Sequence, residues 1–336
     1  MEVLERQKSW KLLTLEALVK RLPENDGGEF SFYKDMHVSQ RKGYGGEVCV
    51  DQMWNEMNIP NPYYLFHGFE TVNHAGNSHQ IDTICLTPQF IWLLEIKDIG
   101  GRIDIDESKH QMIRTKQEGL IESFKNPIDQ VKRHAEFVKR KLRDFQLNLP
   151  VEYAVIFVSD YTIIGSIPKG APIFHASGLQ TELDKLFNKH RESSLSSPQL
   201  EKLKIELLNM HQCKQWKAKV DVRRLRKGVL CKSCDYKSVM KYEHGSFKCV
   251  KCGFKCKAAY VEALSDYRYL FGEWISNQGL REYLGVESRH AIKRIIQKIN
   301  LEQTGTFRNR KYRIPDFLSF DHKNNVESVK KDTSHR

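Results

Sequence analysis

Residues 80–98, QIDTICLTPQFIWLLEIKD, set two carboxylates and an ammonium, Asp82, Glu95 and Lys97, among apolar residues. The run from Phe90 to Ile96 is too short for most helices and rich in Ile, Leu and aromatics, which predicts a buried strand. Side chains two apart in a strand share a face, so Glu95 and Lys97 project together while Ile96 points into packing. Gln80 to Leu86 predicts a second strand. Thr87-Pro88-Gln89 reads as a short connection in which proline presets the turn, which places Asp82 and Glu95 side by side across a hairpin. Neighbouring carboxylates repel unless a cation lies between them, and Mg2+ (or Mn2+) takes oxygen ligands while keeping waters for phosphate chemistry. Lys97 would then stabilise developing negative charge or orient an attacking water. The plainer alternative is a same-face ion pair between Glu95 and Lys97 at a strand edge.

The flanking elements must hold these groups. Gly43, Gly45 and Gly46 read as a flexible entry to a helix running to about Met57, with Glu47 in its first turn, where a carboxylate suits the positive helix end. Pro127 opens a long helix to about Phe145, on which Ile128, Val131, Ala135, Val138 and Leu142 recur at helical spacing. Gln130 lies off that stripe, where it either faces the reactive edge of the sheet or solvent. Glu152 to Ser159 predicts a further buried strand that completes a mixed sheet.

Three separated blocks, GYGGE (43–47), the 80–98 segment and NPIDQVKRH (126–134), resemble the NERD family, the nuclease-related domain, itself similar to the PD-(D/E)XK nucleases. The resemblance spans roughly 41–159. It implies an αβββαβ core with Glu47 on the first helix, Asp82 and Glu95-x-Lys97 on the hairpin and Gln130 on the second helix, together forming a Mg2+-dependent centre for phosphodiester hydrolysis. Asp98 departs from the Asn that often follows the Lys in the family.

The 336 residues carry a net charge of +12, which favours polyanionic partners, nucleic acid and DNA first among them. No apolar run is long enough to span a bilayer, and the N-terminus carries acids and lacks a secretory core, so no membrane association and a cytoplasmic location are expected. Of the eight cysteines, Cys231-x-x-Cys234 and Cys249-x-x-Cys252 have the spacing of a closed structural Zn2+ site. Cys49 and Cys85 read as small core residues. Between Lys214 and Lys257 fourteen Lys and Arg face three acids, a net of +11. Tyr236, Tyr242, Phe247 and Phe254 are interleaved with this charge, either to stack bases or to fill a small core.

Towards the C-terminus, Tyr267 to Ile275, Asn277 to Leu284 and Ser288 to Ile299 read as three helices. Ala291, Ile292, Ile295, Ile296 and Ile299 form the inward face of the third, with Arg289, His290, Lys293, Arg294 and Lys298 outward. A basic hairpin with Arg308, Arg310 and Lys311 follows. The pattern resembles a winged helix-turn-helix facing DNA, against a helical dimerisation module as the alternative.

The expected fold class is α/β (α+β) and multidomain. Its parts are a helical extension (1–40), the PD-(D/E)XK-like domain (41–190), a helical basic linker (198–228), a zinc ribbon (229–258), a winged helix-turn-helix (262–318) and a disordered tail (319–336). A homo-oligomer is compatible with this sequence. The rival functional class is a non-enzymatic DNA-binding or regulatory protein on a nuclease-like fold.

Overall fold

The computed structural model describes residues 1–25, 28–72, 76 and 78–315. In chain order, β1 (Glu2–Leu4) precedes α1 (Trp10–Arg21) and α2 (Glu29–Trp54). The strands β2 (Tyr64–Val72), β3 (Ser78–Leu86) and β4 (Ile91–Lys97) follow. A meander of β5 (Gly101–Asp106), β6 (Gln111–Thr115) and β7 (Ile121–Lys125) then leads to α3 (Pro127–Asp144) and β8 (Val151–Phe157). β9 (Thr162–Ile164), β10 (Ile173–His175), α4 (Leu179–Lys189) and α5 (Ser197–Met210) complete this part. The fold is mixed α/β, divided into two compact units, 1–9 with 39–214 and 10–38 with 215–336.

The first unit is organised by a six-stranded mixed sheet of order β1-β2-β3-β4-β8-β10. β4 lies inside it, antiparallel to β3 and parallel to β8. Its alternation sorts the side chains as expected: Ile91 and Leu93 enter one core with Val131, Ala135 and Val138 of α3, whereas Trp92, Leu94 and Ile96 enter the other with Val50, Trp54, Leu179 and Leu183. Asn126 caps α3 by accepting from the Ile128 N–H at 3.0 Å, with Pro127 in the first turn, where its missing N–H costs nothing. Each fully buried aliphatic side chain along α3 contributes about 1.5–3 kcal/mol of burial free energy. A second sheet, of order β7-β6-β5-β9, takes β5, β6 and β7 from between β4 and α3 and its parallel edge strand β9 from beyond β8. β5 alternates the buried Ile103 and Ile105 with Arg102, Asp104 and Asp106, whereas β7 is exposed along most of its length.

Two expectations are corrected here. Gly43, Gly45 and Gly46 lie inside α2, not before it. A Cβ on Gly46 would stand 2.6 Å from the Asp98 Cβ, so this glycine serves a close helix-to-strand approach. Glu47 consequently sits mid-helix, beyond the reach of the helix dipole's positive end. Cys85 is buried as expected, but Cys49 is exposed, because its neighbour Val50 takes the inward position on α2.

In the second unit, β11 (Val229–Leu230), β12 (Val239–Glu243), β13 (Ser246–Cys249) and β14 (Lys255–Cys256) form a small antiparallel ribbon. Beyond it come α6 (Ala259–Leu270), β15 (Trp274–Ser276), α7 (Asn277–Leu284), α8 (Arg289–Lys298), β16 (Gln303–Thr304) and β17 (Lys311–Arg313). The last three strands pair as β15-β17-β16. The helix expected from Tyr267 to Ile275 therefore ends at Leu270, and Gly272, at φ +122°, turns the chain into a strand. Ser288 caps α8, and its Ala291, Ile292, Ile295 and Ile299 are buried. The expected tail from 319 onward lies outside the described residues.

Candidate metal and nucleic-acid site

Asp82 on β3 and Glu95 on β4 meet at one end of the hairpin, just past the pairing of Thr83 with Leu94. Asp82 Oδ2 accepts from the Ile96 N–H at 2.7 Å, which fixes this carboxylate against β4. Both are buried, at 7% and 2% exposure. Glu95 and Lys97 share a face as expected, and the Lys97 ammonium donates to Glu95 Oε1, the ion pair of the plainer alternative, although β4 lies inside the sheet and not at its edge. Glu95 Oε2 is buried with no hydrogen-bond partner among the described residues.

Glu47 approaches from α2. Its Oε2 accepts from Arg6 Nη1 at 2.6 Å, and the same guanidinium reaches both oxygens of Asp51 and the Asp82 carbonyl. Asp51 also meets His67 Nδ1 at 2.7 Å. Burial opposes the Asp51 charge, but the bonds from His67 and Arg6 hold its pKa below the ordinary value.

The other acids are held less easily. Burial first, and then the Asp82 charge, push Glu47 up to about 8 against the pull of Arg6. Glu95 rises to about 8 from burial and Asp82, against Lys97. Burial also raises Asp82. Although burial disfavours the Lys97 ammonium, Glu95 and Asp82 outweigh it and hold its pKa up. Three carboxylates thus face a shared deficit of positive charge, partly met by Arg6 and Lys97.

Gln130, half-buried on α3, lines a cavity of about 850 Å³ with Gln80, His79, Arg133, His134 and Arg140. His134 Nδ1 lies 3.2 Å from His79 Nδ1, and His79 stacks on Phe137 at 4.3 Å between ring centres. Sequence reasoning placed Glu47, Asp82, Glu95, Lys97 and Gln130 but missed Arg6, Asp51 and His67. Asp51, one helical turn after Glu47, was the findable one. Arg6 carries no local signal at all.

In the second unit Cys231, Cys234, Cys249 and Cys252 bring their sulfurs within 4.8 Å of one another. Cys249 Sγ is approached by the backbone N–H groups of Lys251 and Cys252 at 3.4 and 3.5 Å. The Ser238 hydroxyl and these N–H groups lower the Cys249 thiol to about 5. Donors aimed at a sulfur favour the thiolate, the form that Zn2+ binds. Phe247 is fully buried in a core that the ribbon shares with Tyr260 and Leu264 of α6 and is unavailable for stacking, whereas Phe254 is 44% exposed. On α8, Arg289, His290, Lys293, Arg294 and Lys298 are all exposed, as are Arg310 and Lys311 beyond it. The Arg308 side chain falls outside the described residues.

Residues 42–158 match the family model of the nuclease-related domain, NERD. This nuclease-related domain contains Glu47, Asp82, Glu95, Lys97 and Gln130, while Arg6, which braces it, precedes the matched span. An uncharacterized protein of Bacillus anthracis is 27% identical over 106 residues, 31% of this chain and 48% of that protein. The chain spans about half the length of the curated relative it matches. No solved structure matches the chain at a significant level. Among the described residues, no helix is long and apolar enough to cross a membrane.

Proposed function

We propose that the nuclease-related domain hydrolyses phosphodiester bonds in nucleic acid, DNA in the first instance, with a divalent ion held by Asp82 and Glu95. The observation that carries this reading is the cluster of Glu47, Asp82 and Glu95, in which burial and the Asp82 charge push Glu47 and Glu95 up to about 8 while the buried Glu95 Oε2 has no hydrogen-bond partner among the described residues. An all-oxygen donor set of this kind suits Mg2+ or Mn2+. When bound, such an ion polarises a phosphoryl oxygen and acidifies its water. Glu47, oriented by Arg6, would assist the ion directly or through water. Lys97, already positioned by Glu95, would place its ammonium beside the negative charge that develops on the phosphoryl group. Gln130, at the adjoining cavity, would position substrate or Lys97.

The second unit would deliver nucleic acid. Its four cysteines would hold structural Zn2+ with no open position, and the segment from α6 to β17 would act as a winged helix-turn-helix. The outward cations of α8, with Arg310 and Lys311, would meet phosphates and groove edges.

One observation favours the rival, a nucleic-acid binder that does not cleave. Among the described residues only the four thiols draw their ligand atoms within 4.8 Å of one another, and the three carboxylates do not. An ion bound between the carboxylates would draw them together. The deciding test is cleavage of plasmid, linear and single-stranded DNA with Mg2+ or Mn2+. Loss of cleavage in Glu95→Gln and Lys97→Ala supports hydrolysis at this site, and cleavage that survives both substitutions overturns it.

A further inference from the structure

The cavity beside the carboxylate cluster has a charge arrangement that the hydrolytic reading does not itself require. Its acids are already engaged: Asp129 is paired with His110 at 2.9 Å and Glu136 with Lys139 at 2.8 Å. Lys132 is shared with Glu107 at 3.6 Å. Among the described residues, neither the Arg133 nor the Arg140 guanidinium has an ion pair or hydrogen bond. Both are exposed and line the cavity. Exposed arginines commonly find a carboxylate on so charged a helix, and two left free on one wall make a concentrated positive edge.

Their spacing has a consequence. Seven residues along α3 bring the chain back to nearly the same face, with a rise of roughly 10 Å. A separation of that order lets the two guanidiniums reach different phosphates of one strand. The cavity also adjoins the chemistry: the Arg133 charge acts on Glu95, and Lys97 acts on His134. The amides of Gln80 and Gln130 line the stretch between, with donors and acceptors suited to sugar and phosphate oxygens.

We infer that the α3 wall is the track along which a nucleic-acid strand runs away from the carboxylate cluster, with Arg133 and Arg140 each taking a backbone phosphate. The inference rests on the nucleic-acid reading of the domain but not on its being an active hydrolase. Arg133 and Arg140 are positioning residues: they set where the strand lies, and touch no reacting atom. Bidentate guanidinium contacts make such a grip indifferent to base sequence.

The test is fluorescence anisotropy of a short fluorescein-labelled DNA duplex, and of one of its strands alone, against the full chain across a KCl series, with Ca2+ in place of Mg2+. R133Q/R140Q should bind at least tenfold more weakly and flatten the dependence of log affinity on log salt by about two. K185Q/K189Q removes the same charge from ion-paired positions on α4, whose partners Glu182 and Glu152 lie outside the cavity, and should leave that slope close to wild type. An unchanged slope in R133Q/R140Q, or an equal loss in the control, overturns the track. The two readings fail separately. Absent cleavage with the expected slope change removes the hydrolase and leaves the track, whereas normal cleavage by R133Q/R140Q with an unchanged slope does the reverse.

Discussion

Arg6 Nη1 donates to Glu47 Oε2 at 2.6 Å, across 41 positions of sequence, and ties the N-terminal residues to the helix that carries the candidate site. The Arg6 side chain is 4% exposed and also holds Asp51 and the Asp82 carbonyl. A buried cation beneath three acids both permits their burial and limits how many of them ionise.

Arg6→Ala should therefore be among the most damaging single changes outside the acids themselves. Removing one partner of a buried pair costs about 3–5 kcal/mol. Urea denaturation of the variant should show that loss together with abolished cleavage. A change within a few tenths of a kcal/mol would mean that Glu47 and Asp51 do not depend on this bridge.

The site should also make the metal-free protein sensitive to alkaline conditions. Glu47 and Glu95 have folded-state pKa values of about 8 against an ordinary 4.5. Between those values the unfolded chain releases protons that the folded chain retains, so stability falls as pH rises through the window and is greatest at its acid end. The melting temperature without divalent ions should fall from about pH 5 to about pH 8, and Glu95→Gln should flatten part of that slope. Mg2+ should restore stability most at the alkaline end, since loading an ion displaces the protons. A melting temperature that climbs across this window would contradict the raised pKa values.

The glycines of α2 separate a packing requirement from ordinary helix propensity. A Cβ on Gly43 or Gly45 meets nothing within 4 Å, so alanine there should stabilise by about 0.5–1 kcal/mol. Gly46→Ala places its Cβ 2.6 Å from the Asp98 Cβ and should instead destabilise by about 1–3 kcal/mol. The three variants compared by thermal melting check the contrast. Because Asp98 follows Lys97 directly, Gly46→Ala should also reduce cleavage.

What could be read in the sequence was whatever repeats locally. The period of two in β4 placed Glu95 and Lys97 on one face and Ile96 on the other, and the cysteine spacing located the four-thiol cluster. The bracing residues were hidden, because Arg6, Asp51 and His67 find one another only after distant segments pack. Glycine was misread for a related reason. Three glycines within four positions suggest a chain entry, but the space that Gly46 vacates is needed by a residue 52 positions later. Phe247 could equally stack bases or fill a core by its sequence context, and its burial against Tyr260 of α6 decides for the core.

Removing the ribbon's metal should affect the second unit first. Purified protein should carry about one Zn2+ per chain in a closed four-thiolate site. A strong chelator or Cys249→Ser should release it and unfold the ribbon, since binding free energy and folding free energy are one quantity in such a site. Metal analysis paired with circular dichroism reads both effects. Zinc-free protein with unchanged melting would remove the structural role.

The central claim is that Asp82 and Glu95 share a divalent ion, and a crystal soaked in Mn2+ tests it most directly by anomalous scattering. The account predicts a peak about 2.0–2.3 Å from one oxygen of Asp82 and from Glu95 Oε2, with Glu47 bound directly or through water. A saturating soak that leaves this position without a peak, while Lys97 stays closed on Glu95, would contradict it.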